Sequence, residues 1–137
     1  MTGNPSQFPF EKHVHGGCAD APVLRESSIL ELLILGGEGA SELIVELVDL
    51  YIQDSAVRMG EARKGFQSSD NGQVSRAVHA LKSSSANMGA MELSELCAEL
   101  EGLGSGDELT PDLLTKLESM HTEVKIALRE LRCAYEE

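Results

Sequence analysis

Tryptophan is absent, and 2 tyrosines and 3 phenylalanines bring the aromatic share to only 4% of 137 residues. An interior with so few large rings has to be aliphatic, which favours packed helices. Positive charge is equally scarce: 11 Lys and Arg stand against 23 Asp and Glu, a formal net charge of −12 at pH 7. Nucleic-acid phosphates and anionic bilayers are held by lysines and arginines, so neither is expected as a partner. Cysteine is limited to Cys18, Cys97 and Cys133, an odd number with no metal-motif or redox-motif spacing. Reduced thiols of an intracellular protein are therefore expected. No apolar run approaches the roughly 20 residues needed to span a bilayer. The first 30 residues show no basic segment followed by an apolar one, so no secretory signal is read there. A soluble, cytoplasmic protein is expected. Also missing are a Gly-x-Ser-x-Gly elbow, a phosphate loop and a dinucleotide fingerprint.

What the sequence does contain is helical periodicity. Residues 1–20 carry Gly, Pro, Ser and Asn without a period and are read as a flexible N-terminal segment. His13, His15 and Cys18 lie in it, but three candidate ligands with nothing to fix their geometry make a poor metal site. Residues 21–137 are read as one domain. A short helix is expected over 21–35, closed by Gly36-Gly37. Helices follow over 41–53 and 54–67, separated at Asp54-Ser55, which resembles a break with a new cap. Gly60 and Gly65 each weaken the second of these by roughly 1 kcal/mol. After the turn cluster Ser68-Ser69-Asp70-Asn71-Gly72, helices are expected over 73–88 and 90–103. Thr110-Pro111-Asp112, a capping residue followed by proline and an acid, starts the last helix, over 111–135. No stretch shows sustained strand alternation. Short connections favour antiparallel neighbours, so the expected fold is all-α: an up-and-down four-helix bundle with a short extra N-terminal helix.

One stretch of the third bundle segment is unusual: His79-Ala80-Leu81-Lys82-Ser83-Ser84-Ser85-Ala86-Asn87-Met88-Gly89-Ala90. At roughly 100° per residue, Val74, Ala77, Val78, Leu81, Ser85 and Met88 cluster on one side, with His79 about 140° away from Val74. Lys82 flanks the histidine at i+3, and the small residues Ser83 and Ala86 lie beside it at i+4 and i+7. An isolated exposed histidine is ordinarily just solvated. One flanked by a cation and by side chains that leave room for a partner is suited to chemistry.

Imidazole is a competent nucleophile near neutral pH, and attack on phosphorus forms a covalent intermediate on nitrogen. Lys82 is placed to help neutralise a transferred phosphoryl group. Nothing in the chain suggests a nucleotide site, so the reading is a carrier loaded and unloaded by others rather than an enzyme. A metal reading is weaker. Helix-bundle di-metal sites use two inward Glu-x-x-His motifs, and this chain has one, Glu118-Ser119-Met120-His121. His121 is expected beside the apolar stripe of the last helix, partly exposed.

The 79–90 stretch resembles the signature of histidine-containing phosphotransfer (HPt) domains. These carry phosphoryl groups between aspartates of response-regulator receiver domains. The resemblance extends over about 23–131 and includes the Leu-Gly-Gly turn at 35–37, the run at 96–101 and the long last helix. It implies His79 as phosphoacceptor, on Nε2, and Lys82 as charge partner. Ser83 stands where many members have glycine; with Ala86 and Gly89 it would belong to the docking surface, Gly89 also allowing a close helix crossing. Glu101 occupies the position from which the family often orients the imidazole. The implied partners are receiver domains and a hybrid sensor histidine kinase. No cofactor of its own is expected, since Mg²⁺ belongs to the receiver site. A monomer is expected, and Met1 favours a free-standing chain over the end of a hybrid kinase. The rival reading is a scaffold or inhibitor that binds a receiver or kinase through the same face without transfer.

Overall fold

The computed structural model describes residues 23–103 and 110–136. The segment expected to be flexible, with His13, His15 and Cys18, lies outside the described residues. Among the described residues there are five α-helices: α1 (Glu26–Gly36), α2 (Ala40–Ser68), α3 (Asn71–Asn87), α4 (Met91–Leu103) and α5 (Pro111–Tyr135). A 3₁₀ turn, Gly37–Gly39, links α1 to α2. No strand occurs among the described residues. Helices α2 to α5 form an antiparallel four-helix bundle in which α2 packs on α3, α3 on α4, and α5 returns to α2 and α4. Helix α1 lies against α2 as the extra N-terminal element.

The core is aliphatic, led by Leu24, Ile29, Ile44, Val78, Leu81 and Leu128, all with no exposed surface. Among the described residues Tyr51 is its only aromatic side chain. No helix of the described residues is long and apolar enough to cross a membrane.

The break expected at Asp54-Ser55 is absent: α2 runs 29 residues without interruption, about 43 Å at 1.5 Å per residue. Its buried positions Ile44, Val48, Tyr51, Ser55, Met59, Ala62 and Gly65 recur at three- and four-residue intervals straight through Ser55. Ser55 does not cap a new helix. It lies fully inside the bundle, its hydroxyl 2.8 Å from Nε2 of His121 on α5. Asp54 stays on the surface, 3.6 Å from Arg58 one turn later.

At the end of α2 the backbone closes in a Schellman motif. The Asp70 N–H donates to Gly65 O at 2.8 Å and the Ser69 N–H to Phe66 O, with Ser69 left-handed at φ 58°. Asp70 then caps α3, its carboxylate accepting from the Gln73 N–H at 3.0 Å. Two consecutive capping devices in four residues make the reversal sharp and set α3 antiparallel to α2.

The α3–α4 turn centres on Gly89 at φ 82°. Its carbonyl accepts from the Arg25 N–H at 2.7 Å, so the start of α1 sits on this turn. A Cβ at this position would lie 3.1 Å from the Arg25 carbonyl oxygen. Gly89, expected among the docking residues, is buried beneath Arg25 and Ser28, where its part is to hold the turn.

Candidate functional site

Helix α3 buries Val74, Ala77, Val78, Leu81 and Ser85, and this register turns His79 outward with 64% of its side chain exposed. Helix α4 buries Leu93, Ser94, Leu96, Cys97 and Leu100. Glu101, one turn beyond Cys97, therefore emerges at the edge of the buried face and reaches α3. One carboxylate oxygen of Glu101 lies 2.6 Å from Nδ1 of His79; the other accepts from the Lys82 ammonium at 2.8 Å.

An ionised carboxylate only accepts, so the neutral ring carries its proton on Nδ1 and donates it to Glu101. Nε2 then keeps its lone pair and has no hydrogen-bond partner among the described residues. Foremost the Lys82 ammonium, and after it the His79 ring, hold the Glu101 carboxyl below the usual carboxylate range. The trio thus contains an anion fixed between two donors, with the second ring nitrogen left to act as a nucleophile. Lys82 is only half-buried, and its backbone carbonyl accepts from the buried Ser94 hydroxyl at 2.9 Å.

Ser83 is exposed and Ala86 half-buried on the same side of α3 as His79. On the adjoining flank of α2, Leu50 and Val57 are 61% and 58% exposed. They stand seven residues apart, hence on one face. Leu50 lies on the rim of a hollow between α2 and α3, shared with Asp54, Ser84 and Asn87. Its i,i+7 partner Val57 was the available signal that this is a surface apolar face rather than a core one.

His121 also departs from expectation. It is 4% exposed rather than partly exposed, locked to Ser55 and tilted against the Tyr51 ring with centroids 6.4 Å apart. Burial foremost, then the charges of Lys125 and Arg129, push its pKa down to about 4, so it is neutral at pH 7. Glu118, the other half of the Glu-x-x-His motif, pairs with Arg63 of α2. Both side chains are committed to α2–α5 packing. No group of three or more His, Cys, Asp or Glu that could hold a metal occurs among the described residues. Cys97 and Cys133 are free thiols; burial pushes the former up to about 12, which keeps it protonated and unreactive.

A family model described as the Hpt domain matches residues 46–129, which includes His79, Lys82 and Glu101. Among solved structures, the crystal structure of histidine-containing phosphotransfer protein B (HptB) from Pseudomonas aeruginosa PAO1 superposes with a TM-score of 0.73 at 27% sequence identity. That similarity covers 83% of this chain and 97% of the other. No match is found among curated proteins. With the family model spanning more than half of the sequence and the bundle matching in three dimensions, this chain belongs to the Hpt domain family.

Proposed function

We propose that the protein carries a phosphoryl group on Nε2 of His79 between receiver-domain aspartates of a multistep phosphorelay. The observation that carries this reading is the engagement of Nδ1 by Glu101, which leaves Nε2 as the outward, unprotonated nitrogen. In the loading step the Nε2 lone pair attacks phosphorus of a receiver aspartyl phosphate. The N–P bond forms as the P–O bond to aspartate breaks, and the aspartate leaves as a carboxylate. The ring becomes positive, and the Nδ1–H bond to Glu101 stabilises that charge without any proton having to move. Unloading is the same exchange in reverse, so direction follows the partners rather than this chain.

Lys82 has a place in the loaded state as well. Its ammonium is already desolvated on one side by Glu101 and lies one helical turn from His79, within reach of phosphoryl oxygens. The receiver would dock over Ser83 and Ala86, whose small side chains leave clearance, and against the exposed Leu50 and Val57. Mg²⁺ would arrive with the receiver. The supplier of phosphoryl groups would be a hybrid sensor kinase acting through its receiver, and the carrier would work as a cytoplasmic monomer with no catalytic activity of its own.

The test is incubation with a receiver domain phosphorylated on aspartate. Wild-type protein is expected to gain a label that is lost in acid and kept in base, the behaviour of phosphohistidine; His79→Gln is expected to gain none. Label on the His79→Gln variant would sink the assignment. Wild-type protein that binds the receiver yet never acquires label would favour a scaffold or inhibitor.

A further inference from the structure

We infer that Ser94 is a positioning residue for the transfer reaction, setting the height of α4 on α3 so that Glu101 meets Nδ1 of His79. The inference rests on the carrier reading of His79 and goes beyond it by assigning a role to a residue that touches none of the reacting atoms.

Ser94 is a polar residue in the buried face of α4, 8% exposed among Leu93, Leu96, Cys97 and Leu100. Its hydroxyl donates at 2.9 Å to the backbone carbonyl of Lys82, on the neighbouring helix. Ser94 and Glu101 are seven residues apart, so they share one face of α4 about 10.5 Å apart. Cys97, fully buried, lies between them on the same stripe. This stripe is attached to α3 at both ends: by the Ser94 hydroxyl at one, and by the two oxygens of Glu101 at the other. The two attachments converge on the same few residues of α3, His79 and Lys82. A helix fixed only by aliphatic contacts can rotate or slide by fractions of an ångström at little cost, because such contacts are non-directional. A hydroxyl donating to one particular carbonyl cannot. The 2.6 Å bond to Nδ1 leaves no slack for such movement without being lengthened.

The interaction is unusual in being removable without damage. The Lys82 carbonyl lies inside α3 and retains its own intrahelical donor, Ala86, when the serine is gone. Ser94→Ala therefore strands no buried acceptor and is expected to fold.

The test measures phosphoryl transfer from a phosphorylated receiver to Ser94→Ala, Glu101→Ala and the double variant, together with nitrogen NMR of the His79 ring. Ser94→Ala is expected to slow transfer about threefold to tenfold, in keeping with the sensitivity of reacting groups to small misplacements. It is also expected to shift the His79 ring away from the pure Nδ1–H form. In the Glu101→Ala background it should add nothing, because its effect passes through the acceptor that Glu101 presents to Nδ1. Wild-type rate and wild-type ring resonances in Ser94→Ala would overturn the inference, as would rate losses that multiply in the double variant. Failure of the carrier reading is separately visible, as absence of label on the wild-type protein.

Discussion

Glu101 has to satisfy two donors at once, and each of its oxygens serves a different one. Substitutions therefore separate its two tasks. Glu101→Gln keeps an acceptor of the same shape for the His79 Nδ1–H but removes the charge that binds Lys82 and opposes the positive ring. Glu101→Ala removes both. Transfer is expected to fall roughly tenfold in the first and further in the second, the range seen when a group that orients an imidazole is lost. Equal rates in the two variants, measured with one receiver, would mean that orientation contributes nothing. At this scale the sequence was informative for His79 and Lys82, because helical spacing alone separates their face from the apolar stripe. Glu101 is legible only through family resemblance. Its partners are 22 and 19 residues away on another helix, and no local pattern encodes such a pairing. Ser94 had a faint signal, a hydroxyl residue amid leucines, but its acceptor is a backbone atom that the sequence does not display.

At the scale of helices, two glycines in α2 that look alike in sequence behave in opposite ways. A Cβ at Gly60 would meet nothing within 4 Å, whereas one at Gly65 would come 2.6 Å from a Val74 methyl and 3.0 Å from the Asp70 carbonyl oxygen. Gly60→Ala is expected to stabilise the protein by about 0.5–1 kcal/mol through helix propensity and unfolded-state entropy. Gly65→Ala is expected to destabilise it by about 1–3 kcal/mol, because the neighbouring backbone cannot give way as a side-chain tip can. Urea unfolding of both variants checks the sign of each. The length of α2 is hidden in the sequence for a related reason. Asp54-Ser55 carries the chemistry of a helix start, and only the partner across the bundle, His121, reveals that Ser55 is facing inward. The polar identity of His121 in turn masks its position. At four residues from Leu117 and three from Val124 it lies in the middle of the stripe that α5 buries.

For the molecule as a whole, that buried histidine couples folding to pH. Its folded-state pKa of about 4 lies below the ordinary value of 6.5, so the unfolded chain binds a proton first as pH falls. Stability is therefore expected to be fully present above about pH 6.5 and to decline as pH drops from there toward about 4. Ser55 and Tyr51 of α2 are its neighbours across the interface. Lys125 and Arg129 on α5 oppose its protonation, and Arg63 and Glu118 line the hollow outside it. Glu101, held below the usual carboxylate range, loses its own contribution only at lower pH, so the upper part of the window belongs to His121. Urea midpoints at pH 7 and pH 5 should differ in the wild type and converge in His121→Gln. An undiminished slope in that variant would assign the effect elsewhere.

The bundle also has an internal order in time. The pairs α2–α3 and α3–α4 join neighbours across turns of a few residues. The seam between α2 and α5 joins Asp49 to Arg132, 83 positions apart, and Ser55 to His121, 66 apart. Closing such a span sacrifices more chain freedom than forming a hairpin of adjacent helices. The three helices that present His79 and Glu101 can therefore associate before α5 seals the cylinder, and they stay adjacent if α5 lifts away transiently. The surface that carries His79 belongs to the low-contact-order part of the molecule, which is expected to form first. On this order α5 would close the bundle last, as its clasp.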